Sequence, residues 1–179
     1  MGGIFALKVC VYAICKNESQ FVDRFMDSMS EADYVCVLDT GSSDDTVERL
    51  RARGAIVGET VVSPWRFDTA RNESLGLIPA DADICCAIDL DEQFHPGWRA
   101  ALERAWQPDT TRARYRYTWS FRPDGSEGMV FWADKIHKNG CYRWASPVHE
   151  TLAYTGEGAE RFVDAAGVQL DHHPDETKS

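Results

Sequence analysis

The first half of the chain alternates short apolar runs with longer amphipathic stretches. The apolar runs are KVCVYAI (8–14), YVCVLD (34–39), AIVGETVV (55–62) and ICCAID (84–89), and polar stretches with helical spacing separate them. Strands that are apolar on both faces occur in parallel sheets covered by helices on each side. The pattern therefore predicts a doubly wound α/β unit in this half of the chain.

The second half has a different pattern. Residues 112–121, RARYRYTWSF, alternate polar and apolar side chains with the period of two that an antiparallel strand with one wet face requires. A helix over 96–106 precedes this strand, a turn at 122–125 follows it, and residues 128–138 and 167–174 are strand-like. We predict one domain over residues 1–179: a mostly parallel, Rossmann-like sheet in 1–95 and antiparallel strands in 96–179.

Charge and cysteine usage narrow the function. Nineteen basic against twenty-nine acidic residues give a net charge of −10, which excludes nucleic-acid binding driven by phosphate contacts. An anionic small molecule stays compatible if a divalent cation mediates its binding. The six cysteines have no CxxC spacing, so we expect neither a zinc site nor disulfides, and no apolar run is long enough to span a bilayer. The expected location is the cytoplasm.

Ligands of an open α/β sheet bind at the carboxyl ends of its strands. The first strand-to-helix turn, AICKNESQ, has no glycine, and GxxxxGK[ST] does not occur, so neither a dinucleotide fingerprint nor a P-loop is present. Asp89 and Asp91 follow the fourth apolar run and are two residues apart, which directs both carboxylates to one side of a strand. Such a pair suits Mg²⁺ or Mn²⁺ bridging to a diphosphate. The alternative is that the carboxylates cap the next helix or face solvent.

Five motifs together carry a family resemblance. ICKNES (14–19), VLDTGSSDDT (37–46), FDTARNESL (67–75), AIDLDE (87–92) and WASPVHETL (144–152) closely resemble, in order and spacing, motifs of the inverting family 2 glycosyltransferases with a GT-A fold. The resemblance is to the branch of lipopolysaccharide-core and SunS-like enzymes, and it covers nearly the whole chain. It implies a nucleotide-binding half (1–95) and a second half (96–179) that binds the acceptor and completes the metal site. In relatives with a similar ending, helical repeats follow this domain.

The resemblance also implies site residues. Asp89, Asp91 and His149 would hold Mn²⁺ or Mg²⁺, with His172 or His173 as an alternative to His149. Arg71 would face the diphosphate. Asp39 would contact the base or ribose, form the turn before Thr40 and Gly41, or do both. The residues expected to contact the nucleotide sugar, for which a UDP-sugar is favoured, are Ala13, Lys16, Asn17, Glu18, Asp39, Gly41, Ser42, Arg71, Asp89 and Leu90.

The implied reaction moves a hexose to a hydroxyl or, as an alternative, a thiol of a glycan, lipid-linked or peptide acceptor. A carboxylate must take the acceptor's proton. Glu150 is the first choice, with Asp134 and Glu92 in reserve, but His149 and Glu150 share one site only if the segment after Pro147 is irregular. Trp65 and Trp144 are candidate platforms for the sugar or acceptor.

Two other functions remain open at this stage. A haloacid-dehalogenase-like phosphatase also has a strand ending in DxD, but it requires Thr or Val four residues after the first Asp, where Gln93 stands. A degenerate transferase domain would bind nucleotide sugar without turnover. Release of nucleoside diphosphate from a sugar donor separates these possibilities.

Overall fold

The computed structural model describes residues 6–175, so the ends of the predicted domain, 1–5 and 176–179, lie outside the described residues. Residues 6–175 contain four α-helices: α1 (Val22–Ser28), preceded by a 3₁₀ turn at Ser19–Phe21, α2 (Thr46–Ala52), α3 (Phe67–Leu75) and α4 (Trp98–Ala105). The strands are β1 (Val9–Cys15), β2 (Tyr34–Asp39), β3 (Ile56–Glu59), β4 (Ile84–Ala87), β5 (Glu92–Phe94), β6 (Arg112–Thr118), β7 (Val130–Lys138), β8 (Tyr142–Ala145), β9 (Thr151–Tyr154) and β10 (Phe162–His172).

A mixed eight-stranded sheet has the order β3-β2-β1-β4-β7-β6-β10-β5. β3, β2, β1 and β4 are parallel neighbours, and β10 is parallel to β6. The pairs β4–β7, β6–β7 and β10–β5 are antiparallel. The predicted α/β class, with a mostly parallel first half and antiparallel strands after it, is confirmed.

The two faces of β1 belong to different packing layers, because successive side chains of a strand point to opposite sides. Val9, Val11 and Ala13 pack into the larger core, which contains residues of α1, α2 and α4. Cys10 and Tyr12 face a second apolar cluster that contains side chains of β8 and β9. The central strand is therefore buried on both sides, as its sequence predicts.

Several strands differ from the sequence-based prediction. The antiparallel hairpin β8–β9 covers one face of the parallel sheet, where we expected no strands. β10 begins at Phe162, five residues before the expected strand, and β5 is a further short strand. β8, β9 and β5 have four residues or fewer, too few to show a clear period, and β5 exists only because β10 pairs with it.

The helices are short. The longest among residues 6–175 is α3, with nine residues, and none there has the length and apolar character needed to cross a bilayer.

Candidate functional site

A cavity of about 430 Å³ lies over the carboxyl ends of β1, β2 and β4. Its size is that of a small-molecule site. The lining residues come from these strand ends and from the segment around the start of α3: Ile14, Cys15, Lys16, Glu18, Thr40, Val61, Val62, Trp65, Phe67, Arg71, Asp89 and Asp91. The structure thus brings together residues from four of the five motifs.

Glu150, from the fifth motif, reaches this cavity through Arg71. The Arg71 side chain is almost fully buried; its Nη1 lies 2.7 Å from Asp89 Oδ1 and its Nε donates to Glu150 Oε1 at 3.1 Å. Burial acts to lower the pKa of Arg71, but Asp89 and Glu150 outweigh it and raise that pKa above its usual value. Burial likewise acts to raise the pKa of Asp89, and Arg71 brings it below its usual range. The group is therefore a charged carboxylate–guanidinium–carboxylate arrangement.

Asp39 forms the turn after β2. Its Oδ1 accepts hydrogen bonds from the backbone N–H of Gly41 at 2.9 Å and of Ser42 at 2.8 Å, and the Ser42 hydroxyl donates to Oδ2. Burial acts to raise the pKa of Asp39, but these bonds from Ser42 and Gly41 lower it overall. Gly41 has φ 115°, a conformation that favours glycine. Asp39 is only 2% exposed, and its carboxylate holds the turn together.

Asn17 connects the first two strand-to-helix loops. Its backbone N–H donates to Ser42 Oγ at 2.8 Å, and its side-chain oxygen accepts from the backbone N–H of Ser43 at 2.7 Å. These bonds hold the loop that carries Lys16 and Glu18 against the Asp39 turn. Lys16 and Glu18 line the cavity, whereas Asn17 and Ser42 fix the loops beneath it.

Asp89, Asp91 and Glu92 form a carboxylate group whose potential ligand atoms all lie within 4.8 Å of one another; no other such group of three occurs among residues 6–175. Asp89 Oδ1 is buried and, despite its ion pair with Arg71, accepts no well-aligned hydrogen bond from the described residues. Glu92 accepts the backbone N–H of Asp89 at 2.9 Å. Burial and the neighbouring Asp89 raise the pKa of Glu92 to about 8.

The histidine beside these carboxylates is His172, at the end of β10. Its Nε2 lies 3.1 Å from Asp91 Oδ2, and its Nδ1 lies 3.1 Å from the carbonyl oxygen of Trp119, which can only accept. Its ring stacks on Trp119 with a centroid distance of 4.4 Å. Burial acts to lower the pKa of His172, but Asp91 raises it overall.

The other two candidate histidines lie elsewhere. His149 is exposed, with φ 55°. Among residues 6–175 it does not belong to the cluster of potential ligands formed by Asp89, Asp91 and Glu92. The segment after Pro147 is irregular, as a shared site for His149 and Glu150 requires, yet only Glu150 reaches Arg71. His173 stacks on Phe121 with a centroid distance of 4.7 Å.

Four further expected site residues do not line the cavity. Ala13 and Leu90 are fully buried in the core. Trp144 is 3% exposed, donates through Nε1 to the Tyr12 hydroxyl at 3.0 Å and lies 5.4 Å from the Arg71 guanidinium, so it supports Arg71 and offers no open face to a sugar. Asp134 pairs with Arg112 at 3.2 Å on the opposite face of β7 from Lys135. Of the two tryptophans, Trp65 lines the cavity and is 46% exposed.

A second cavity of about 230 Å³ meets the first at Asp89 and Asp91. Aligned odd-numbered residues of β6 and β7 supply much of its wall, with Trp119, Glu92 and His172. Lys135, Tyr117, Trp119 and Phe131 were not among the expected site residues. The sequence pattern that could have identified them is the period of two in 115–119 and 131–135. It places these side chains on one face of the sheet once the two strands are paired.

No protein-family model matches the chain. Solved structures of glucosyl-3-phosphoglycerate synthase from Mycobacterium tuberculosis are similar to it, with 26% identity over 63% of this chain. TM-scores are 0.52 for the complex with phosphoglyceric acid, 0.51 for one with Mn²⁺, UDP-glucose and phosphoglyceric acid, and 0.50 for one with Mn²⁺, UDP and glucosyl-3-phosphoglycerate.

The chain has a GT-A glycosyltransferase fold. It spans 44% of the length of the structures it matches. In this GT-A domain the cavity lies at the carboxyl ends of the parallel strands, where open α/β sheets bind ligands. The GT-A resemblance of the motifs is therefore confirmed at the level of the fold.

Proposed function

We propose that this chain is a metal-dependent glycosyltransferase that binds a nucleoside-diphosphate sugar, with a UDP-sugar favoured, in the cavity of about 430 Å³. The observation that carries the proposal is the convergence of Arg71, Asp89 and Asp91 at the edge of the sheet. Those similar structures that contain UDP with Mn²⁺ or Mg²⁺ support the donor and the metal.

The residues present fit a hard divalent cation. Asp89 and Asp91 offer carboxylate oxygens, which Mn²⁺ and Mg²⁺ prefer, and their potential ligand atoms lie within 4.8 Å of one another and of Glu92. We propose Asp91 as the principal ligand and His172 as the histidine, in preference to His149, because the His172 ring lies 3.1 Å from the Asp91 carboxylate. The bound cation would neutralise charge on the departing diphosphate.

Arg71 is placed to bind a diphosphate oxygen. Its guanidinium is held by Asp89, Glu150 and the ring of Trp144, so its orientation is set before a ligand arrives. Lys16 and Trp65 line the same cavity and are proposed to contact the donor, while Asn17, Asp39, Gly41 and Ser42 shape the loops that enclose it. Ala13 and Leu90 support this edge from the core.

The transfer step is proposed to invert the anomeric centre. An acceptor oxygen bonds to the anomeric carbon, the bond to the diphosphate oxygen breaks with its electron pair, and a carboxylate takes the acceptor's proton. Glu150 remains the first proposed base and Glu92 the competitor, since Glu92 lines the second cavity. Asp134 is withdrawn because it faces away.

The experiment is isothermal titration with UDP, GDP and CDP, with and without Mn²⁺. Wild type should bind one nucleotide tightly only with metal, and Asp91→Asn should lose the metal-dependent part. Asp164→Asn, which removes an exposed carboxylate elsewhere, is the matched control. Metal-dependent binding that survives in Asp91→Asn contradicts the ligand assignment, and no nucleotide binding contradicts the donor site.

A separate assay of donor turnover distinguishes the bases. Glu150→Gln and Glu92→Gln should both bind UDP, and the variant that loses transfer identifies the base. If both transfer normally, neither is the base. If wild type binds donor but transfers to no acceptor tried, the non-catalytic binding domain becomes the better description.

The remaining parts of the proposal concern the acceptor and the parent chain. We propose a hexose donor and an acceptor hydroxyl, with the lipopolysaccharide-core branch as the model for acceptor chemistry. Residues 1–179 are proposed as the catalytic domain of a protein that acts in the cytoplasm. The chain matches less than half of the similar structures' length, which is compatible with a longer parent.

A further inference from the structure

The second cavity is lined by a lysine side chain that has no part in the proposed donor site. Lys135 lines it from β7, and none of the carboxylates in residues 6–175 lies within ion-pair distance of its amine, although its charge lowers the pKa of both Asp89 and Glu92. The three carboxylates that line this cavity have nearer partners than Lys135. Asp89 pairs with Arg71, Asp91 pairs with His172, and Glu92 accepts a backbone N–H.

The walls next to Lys135 are aromatic. Tyr117 and Phe131 meet edge to face at 5.1 Å, and Trp119 stacks on His172. Phe131 is 44% exposed and Trp119 46% exposed, so each keeps ring surface open to a ligand. The pocket combines these apolar walls with Lys135 and with the carboxylates of Asp89, Asp91 and Glu92. A carbon skeleton can pack on the rings, and Lys135 is the basic side chain of this pocket that has no ion-pair partner in the described part of the chain and can orient an acidic group.

Position relates this cavity to the donor site. The two cavities share Asp89 and Asp91, so molecules bound in both would meet at the carboxylate pair. The second cavity has about half the volume of the first, which suits a small molecule or one terminal unit of a larger one.

We propose that the second cavity is the acceptor subsite and that it takes a hydroxylated acid: Lys135 binds the carboxylate or phosphate, Phe131 and Trp119 pack against the carbon skeleton, and a hydroxyl points to Asp89 and Asp91. This inference rests on the proposed transferase function and adds the chemical class of its acceptor. The acid is a free metabolite-sized molecule or the terminal sugar acid of a glycan, which share this chemistry.

The test titrates acids and neutral analogues into protein saturated with UDP and Mn²⁺. The probes are 3-phosphoglycerate, glycerol 3-phosphate and glucuronate, with glycerol and glucose as neutral partners. We expect binding of at least one acid and much weaker binding of its neutral partner. Preference for the phosphates indicates a free phosphorylated acceptor, whereas preference for glucuronate indicates a sugar acid.

Two lysine variants make the result specific. Lys135→Gln should weaken binding of the acid about tenfold or more, the size expected for loss of a charged hydrogen bond. Lys138→Gln removes an exposed charge from the same strand, outside both cavities that meet at Asp89, and should leave acid binding unchanged. UDP affinity should be the same in both variants.

Three outcomes overturn the proposal. They are equal binding of acids and neutral partners to wild type, no binding of any acid, and a loss in Lys135→Gln that falls on UDP rather than on the acid. Titration of the acids without UDP and Mn²⁺ tests the cavity by itself. A failure of nucleotide binding, which contradicts the transferase function, is thereby distinguished from a failure of the acceptor subsite.

Discussion

Replacing Arg71 with Met should destabilise the protein far more than removal of an exposed arginine. The change keeps much of the side chain's apolar contact with Trp144 but leaves Asp89 and Glu150 without their shared cation. Breaking a buried ion pair by removing one partner costs about 3–5 kcal/mol. The Glu150 side chain is 12% exposed but that of Asp89 is 36% exposed, so we expect the lower end of this range. For a domain of this size, the melting temperature should fall by roughly 10 °C.

The matched control is Arg51→Met. Arg51 pairs with Glu59 at 3.1 Å on the surface, where such a pair contributes about 1 kcal/mol or less. Urea unfolding followed by circular dichroism would give both free energies of unfolding. Adding Glu150→Gln to Arg71→Met should recover part of the loss, since it removes one uncompensated carboxylate. Equal losses for Arg71→Met and Arg51→Met would refute the argument that the buried charge arrangement is stabilised by Arg71.

Three further predictions concern a buried polar chain and the metal. Tyr12→Phe should cost about 2–4 kcal/mol in urea unfolding, because it orphans the indole N–H of Trp144 and Nε2 of His137. The control Tyr154→Phe changes a half-buried tyrosine that loses one bond to a carbonyl, and it should cost much less. Burial lowers the pKa of His137 to about 4, so the unfolded chain binds the proton more tightly than the folded chain. The free energy of unfolding should therefore fall by about 3 kcal/mol as pH drops from about 6.5 to 4. In urea titrations at several pH values, His137→Gln should reduce this dependence of stability on pH. Mn²⁺ should raise the melting temperature of wild type and not of Asp91→Asn in calorimetry, and EDTA should reverse the effect.

The sequence predicted the parallel half well because its strands are long apolar runs whose ends carry the polar motifs. β1, β2 and β4 were expected close to where they occur, so the strand order placed Asp89 at the ligand-binding edge. The position of Arg71 on α3 followed from the family resemblance, and the structure brings it beside Asp89. Alternation within β1 also explains Ala13. Its side chain points into the larger core, whereas Ile14, the next residue, lines the cavity.

The remaining parts depend on long-range pairing. Asp134 and Lys135 are adjacent, and which one faces the cavity depends on how β7 pairs with β6, a ladder that contains a register shift between Ala113 and Tyr115. His172 approaches Asp91 only because β10 pairs with both β6 and β5. Trp144 is buried by a hairpin too short to be recognised from its period.

The position of β10 also affects how the protein is made. β10 is the last strand in chain order among residues 6–175, yet it lies inside the sheet between β6 and β5. A nascent chain on the ribosome therefore exposes the unpaired edges of β5 and β6 until residues 162–172 emerge, and exposed strand edges are prone to aggregation. The same event delivers His172 beside Asp91, so the site is completed only when translation has passed β10.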